Sequence, residues 1–176
     1  MTAKKSIRDL FVVMVIFAWF LGFAIPVKAE TQTLKYKVYT YVIRSENIPV
    51  EDVEGHTVGL HVRGAFLVFE NGEIGTINHV STTDLVKGSG SVMQYVTIKF
   101  EDASTITFKS QGTLGGTPTG SLAAGGWTSE IIKGTGQFAG IKGTQAGKVK
   151  YLPVEKGESA PKGYGEGSLT FTLPPK

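Results

Sequence analysis

The sequence predicts an all-β protein: one eight-stranded antiparallel β-barrel in meander order, behind an N-terminal signal peptide. Three observations carry this expectation. From residue 30 onward no stretch repeats apolar residues at 3.6-residue intervals, while Val, Ile, Thr, Tyr and Phe alternate with polar residues. The alternating runs number eight, at about 33–45, 57–69, 73–86, 91–101, 104–112, 125–133, 142–151 and 164–173. Most links between them are short, so neighbours in sequence become antiparallel neighbours in space, and such a meander loses its exposed edges by closing on itself.

Residues 1–29 precede the first strand and read as a signal peptide. Lys4, Lys5 and Arg8 form a basic head, an uncharged apolar run extends from Leu10 to Ile25, and Pro26-Val27-Lys28-Ala29 ends in the small residues a signal peptidase reads. The run is shorter than the roughly 20 residues a spanning helix needs, so cleavage after Ala29 is expected, with a mature domain over 30–176 that is secreted or periplasmic and keeps no membrane span. Of 18 basic residues four lie in this segment, against one of 15 acidic residues, so the remainder is neutral. The pI near 9.0 therefore gives the mature chain no net field for phosphates, and no nucleic-acid partner is expected. The absence of cysteine excludes disulfide scaffolds, thiol enzymes and zinc fingers.

The strands can be oriented in order. In the first, Tyr39 and Tyr41 share a face with Ile43, and Tyr36 shares the other with Val38 and Val42; two apolar faces suggest a subunit contact on the outer one. Between the second and third, a two-residue Asn71-Gly72 turn pairs Phe69 with Ile74, Phe66 with Ile77 and Arg63 with Val80, although it sets Glu70 opposite Glu73. Between the fourth and fifth, a three-residue loop pairs Phe100 with Ile106 and Ile98 with Phe108. That choice puts Val96, Ile98, Phe100, Ile106 and Phe108 on the apolar face and Thr97, Lys99, Thr105, Thr107 and Lys109 on the wet one. Gly88-Ser89-Gly90-Ser91 reads as a hairpin turn. The irregular stretches 47–55, 113–126 and 152–163 hold Pro49, Pro118, Pro153 and Pro161 and are expected as loops at the barrel ends.

The most distinctive run is Gly134-Thr-Gly136-Gln-Phe138-Ala-Gly140-Ile-Lys-Gly143. Its spacing fits neither a dinucleotide fingerprint nor a phosphate-binding loop, and no helical pattern follows. Glycine permits positive φ and close chain approach, so a strand can end here, turn tightly with Phe138 carried inward as a plug, and re-enter the sheet. This run resembles the signature of the allene oxide cyclase and dirigent barrels, Gly-Thr-Gly-Arg-Phe-x-Gly-Ala-Arg-Gly. The hairpin from Tyr95 to Ser104 and the strand Gly165 to Phe171 are similar to the bacterial exported branch of that superfamily. The resemblance implies a barrel, often dimeric or trimeric, whose lumen holds an apolar or phenolic molecule without metal or organic cofactor. Its enzymes cyclise an unsaturated epoxide of fatty-acid origin, and its dirigent members steer the coupling of phenoxy radicals. Gln137 stands where that signature carries arginine, and no catalytic residue of the plant enzymes is carried over to this chain.

Two assignments of the polar residues follow from the Asn71 register. The more apolar face, with Val58, Leu60, Val62, Phe66, Ile77 and Leu85, is expected to fill the interior, which leaves His61, Arg63 and Asp84 outside as a solvated cluster. If the mixed face lines the lumen instead, an Arg63–Asp84 pair with His61 becomes a candidate for orienting or protonating a ligand. A metal is not expected, because His61 and His79 fall on opposite faces in this register and His56 lies at a loop edge. Tyr36, Asn78, Tyr95 and Trp127 are candidates for lining a ligand cavity, with core packing the alternative for each aromatic. Three functions from different classes remain: a barrel binding a small hydrophobic or aromatic molecule, a cofactor-free isomerase or cyclase, and a filled structural barrel without ligand.

Overall fold

A computed structural model describes residues 30–117, 121–158 and 161–175; the expected signal peptide lies outside them. The eight strands are β1 (Thr31–Pro49), β2 (His56–Phe69), β3 (Ile74–Val86), β4 (Ser89–Phe100), β5 (Thr105–Gly116), β6 (Leu122–Thr135), β7 (Lys142–Tyr151) and β8 (Gly163–Thr172). Each pairs antiparallel with the next, and β8 pairs with β1, closing the barrel. Closure gives every strand two neighbours, so the glycine-rich ends of β5 and β6 stay paired, with Gly112 opposite Trp127 and Gly115 opposite Ala124. β1 likewise runs on to Pro49, opposite Thr57, at a strand end where proline's missing N–H is tolerated.

The hairpins revise the expected registers. At Asn71 the loop is Glu70-Asn71-Gly72, with Phe69 N–H bonded to Glu73 O, Gly72 N–H to Phe69 O, and Gly72 at φ +86°. The pairs become Phe66 with Thr76, Ala65 with Ile77 and Arg63 with His79, one residue away from expectation. A one-residue slip reverses every side chain of one strand relative to the other. The β4–β5 loop, Glu101-Asp102-Ala103, has the same hydrogen bonds and Ala103 at φ +65°. Ile98 therefore faces Ile106 and Val96 faces Phe108, a two-residue shift that preserves the expected apolar face. The β3–β4 turn is centred on Lys87 and Gly88, both at positive φ, so Ser89 and Ser91 belong to β4 rather than to a turn.

Three hairpins, Glu70–Gly72, Glu101–Ala103 and 136–141, lie at one end of the barrel, and the loops 50–55 and 87–88, with the described stretches 152–158 and 161–162, lie at the other. The first end is solid. Leu67, Ile98, Ile106, Phe108 and Leu169 are fully buried there, and a chain of rings joins Tyr36 to Phe69 (5.7 Å), Phe69 to Phe100 (5.7 Å), Phe100 to Phe138 (4.6 Å) and Phe138 to Phe171 (6.4 Å). Each such pair adds about 0.5–1.5 kcal/mol beyond burial. Phe138 ends a single 3-10 turn, Gly136–Phe138, and closes this end. A Cβ on Gly134 would lie 2.1 Å from the Phe138 carbonyl oxygen, so the chain can fold back over itself there only through glycine.

A candidate binding site in the barrel lumen

Toward the loop end the packed side chains give way to a cavity of about 700 Å³, within the range of small-molecule sites. Its walls combine apolar residues (Val38, Ile77, Leu85, Val92, Val96, Val149) with a polar set that local structure turns inward. The corrected β2–β3 register places His61 and Arg63 of β2 on the same face as His79, Ser81 and Thr83 of β3. On β1 a bulge between Val42 and Arg44 shifts the alternation, so that Ser45 faces His61. His61 is thereby held at both ring nitrogens, Nδ1 by Ser45 Oγ at 2.8 Å and Nε2 by Thr83 Oγ1 at 2.9 Å.

Arg63 is only 7% exposed. Its Nη1 donates to Thr40 Oγ1 and to the Pro161 carbonyl, both at 3.4 Å, and its guanidinium carbon lies 5.4 Å from the centre of the Tyr151 ring. Among the described residues no carboxylate pairs with it. His79, directly across the β2–β3 ladder, has a buried Nε2 with no hydrogen-bond partner. Burial first, then the positive charge of Arg63 and the neighbouring His61, pulls its pKa down to about 4, so the ring is neutral at pH 7. His61 is shifted downward by burial and by Arg63.

On the opposite wall, Tyr36 OH accepts hydrogen bonds from Gln145 Nε2 and from Trp127. Burial drives its pKa up, and the two donors only partly oppose that. A Cβ on Gly167 would come within 2.3 Å of the Tyr36 oxygen and one on Gly147 within 2.5 Å of the Trp127 ring; the two bare positions make room for both aromatics.

The candidates drawn from the sequence thus separate. His61 and Arg63 line the lumen rather than the solvated face where they were expected, and His79 joins them instead of opposing His61. Asp84 is not with them: it points outward, 2.9 Å from His56 Nε2, while Asp52 holds His56 Nδ1. These two carboxylates raise the His56 pKa. Tyr36 and Trp127 line the cavity, whereas Tyr95 is half exposed on the outer wall and Asn78, on the outward alternation of β3, is exposed. Sequence reasoning missed His79, Gln145 and Ser45 as lumen residues. The like charges of Glu70 and Glu73 were the available signal against the two-residue turn, and hence for His79. The β1 bulge and the contact across β7 left no such trace.

No family model matches the chain, and no curated protein does. Two solved structures of pterocarpan synthase dirigent proteins are similar. GePTS1 is 13% identical, with a TM-score of 0.50 over 85% of this chain and 90% of its own; PsPTS1 is 14% identical, with a TM-score of 0.51 over 85% and 99%. With its closed eight-strand meander and these two likenesses, the chain takes the dirigent-type barrel fold.

Proposed function

We propose that the protein binds a small hydrophobic or aromatic molecule inside the barrel. The observation that carries this reading is the lumen cavity: about 700 Å³, closed at one end by the Phe138 plug and reached from the loop end. A filled structural barrel would hold no space beyond a water or two, so that third reading is set aside. The resemblance in the glycine run and the dirigent-type fold support an occupant of low polarity. Native mass spectrometry of protein purified from its own host tests the reading. A co-purifying organic molecule of low mass supports it; repeated absence, together with no protection against thermal unfolding by any member of an aliphatic and aromatic panel, refutes it.

A second reading, a cofactor-free isomerase or cyclase, is favoured by one further observation: the ionisable groups of Tyr36 and His79 line this cavity. In that case His79→Asn abolishes turnover of an unsaturated epoxide of fatty-acid origin in protein that still unfolds cooperatively. We propose further that residues 1–29 direct export and are removed, which sequencing of the mature N terminus tests by finding Glu30 first. The outer wall of β1–β3, with Tyr39, Tyr41, Phe66, Val68 and Ile74 each more than 40% exposed, is our candidate for a homo-oligomer contact.

A further inference from the structure

We propose that the lumen ligand is an organic acid, its carboxylate held by Arg63 and His79 and its apolar body lying against Val38, Ile77 and Val96. The inference rests on the lumen-binding reading and adds the chemical class of the ligand. A guanidinium withdrawn from water is costly unless an anion balances it, and Arg63 has only two long bonds to neutral oxygens and a ring face. Its remaining N–H donors have no acceptor among the described residues, and they border the cavity. Across the ladder, His79 brings a second unmet requirement, the buried Nε2 without a partner. As the Nε2–H tautomer this neutral ring donates one hydrogen bond, which a carboxylate oxygen accepts while Arg63 engages the anion with its charge-assisted donors.

The charges around the cavity give the sign and the size of the ligand's charge. The ionisable lining deep in the barrel is Tyr36, His61, Arg63, His79 and Tyr151, with no acid among them. The acidic lining residue, Glu54, sits in the β1–β2 loop at the mouth, where Lys87 pairs with it at 3.4 Å. His61 already has both nitrogens bonded, so one permanent positive charge is left without a counterpart. A monoanion matches it, whereas a dianionic phosphate monoester carries a second negative charge that this wall does not balance.

Isothermal titration of the full mature barrel at pH 7 with decanoate, decanol and decyl phosphate tests the assignment, because the three probes share one tail. Decanoate is expected to bind at least about tenfold more tightly than decanol, a difference of roughly 1.4 kcal/mol, and more tightly than decyl phosphate. In Arg63→Gln the preference for the acid over decanol disappears; in Arg63→Lys it is reduced but present. The comparison within the unmodified protein needs no variant to fold. If decanol matches decanoate, the acid assignment falls and lumen binding stands. If decyl phosphate binds most tightly, the carboxylate assignment falls. Should none of the three bind, the acid assignment falls, and the lumen-binding reading falls with it only if the aromatic members of the panel also give no protection.

Discussion

At the scale of single residues, the interior carries two groups that water would have stabilised better. His79 has its pKa lowered to about 4, against about 6.5 unfolded. Between those values the unfolded chain takes up a proton that the folded one refuses, so stability is complete above pH 6.5 and falls as the pH drops toward 4. The shift corresponds to roughly 3 kcal/mol at most. His61 acts in the same direction, and the half-buried His56, raised by Asp52 and Asp84, acts weakly in the opposite one. Urea unfolding of wild type and His79→Asn between pH 7 and pH 4 is expected to show a shallower loss in the variant. Arg63 imposes a comparable burden in the empty barrel. Replacing it with Met, of similar length and without charge, is expected to raise unfolding stability by about 1 kcal/mol, read as a higher thermal midpoint in the absence of ligand.

Single elements show where local chemistry is a reliable guide and where it misleads. Asn-Gly is the strongest two-residue hairpin signal, yet here glycine takes the third place of a three-residue loop. That arrangement releases Glu70 from facing Glu73 and lets Glu70 Oε1 accept a hydrogen bond from Lys35 N–H at 3.1 Å. The Glu101–Ala103 loop is built the same way, with alanine at the left-handed position. Ala103→Gly removes that strain and is expected to stabilise the protein by about 1 kcal/mol, measurable by chemical denaturation. In the glycine run the roles divide. Phe138→Ala empties the plug and should cost about 3–5 kcal/mol. Gly134→Ala meets a backbone oxygen rather than a pliable side chain, and its expected outcome is loss of cooperative unfolding by circular dichroism. The plug and its glycines were legible because both follow from local backbone sterics, whereas the hairpin register depended on one charge repulsion weighed against a dipeptide preference.

For the whole molecule, closure explains both the stability and the hollow. A barrel has no edge to protect, and its cross-section is filled only where large side chains meet; here they meet at the Phe138 end, and smaller polar residues toward the loops leave space. Its outer wall carries Tyr39, Tyr41, Phe66, Val68 and Ile74 in the open. If this wall joins copies, Phe66→Glu is expected to shift the sedimentation coefficient of the mature protein to that of a monomer without changing its far-ultraviolet spectrum. Strand number, meander order and the apolar face of β4 and β5 could be read along the chain, because alternation and short links are properties of neighbouring residues. Which wall of β2 faces inward could not. Val58, Leu60, Val62 and Phe66 make their wall the more apolar one although it faces outward, so hydropathy pointed to the wrong wall, and a single residue in a hairpin loop sets His61, Arg63 and His79 together in the lumen. Composition and periodicity are therefore enough to specify a closed β-barrel, whereas the membership of its interior was settled by cross-strand register and the β1 bulge, through contacts between residues far apart in sequence.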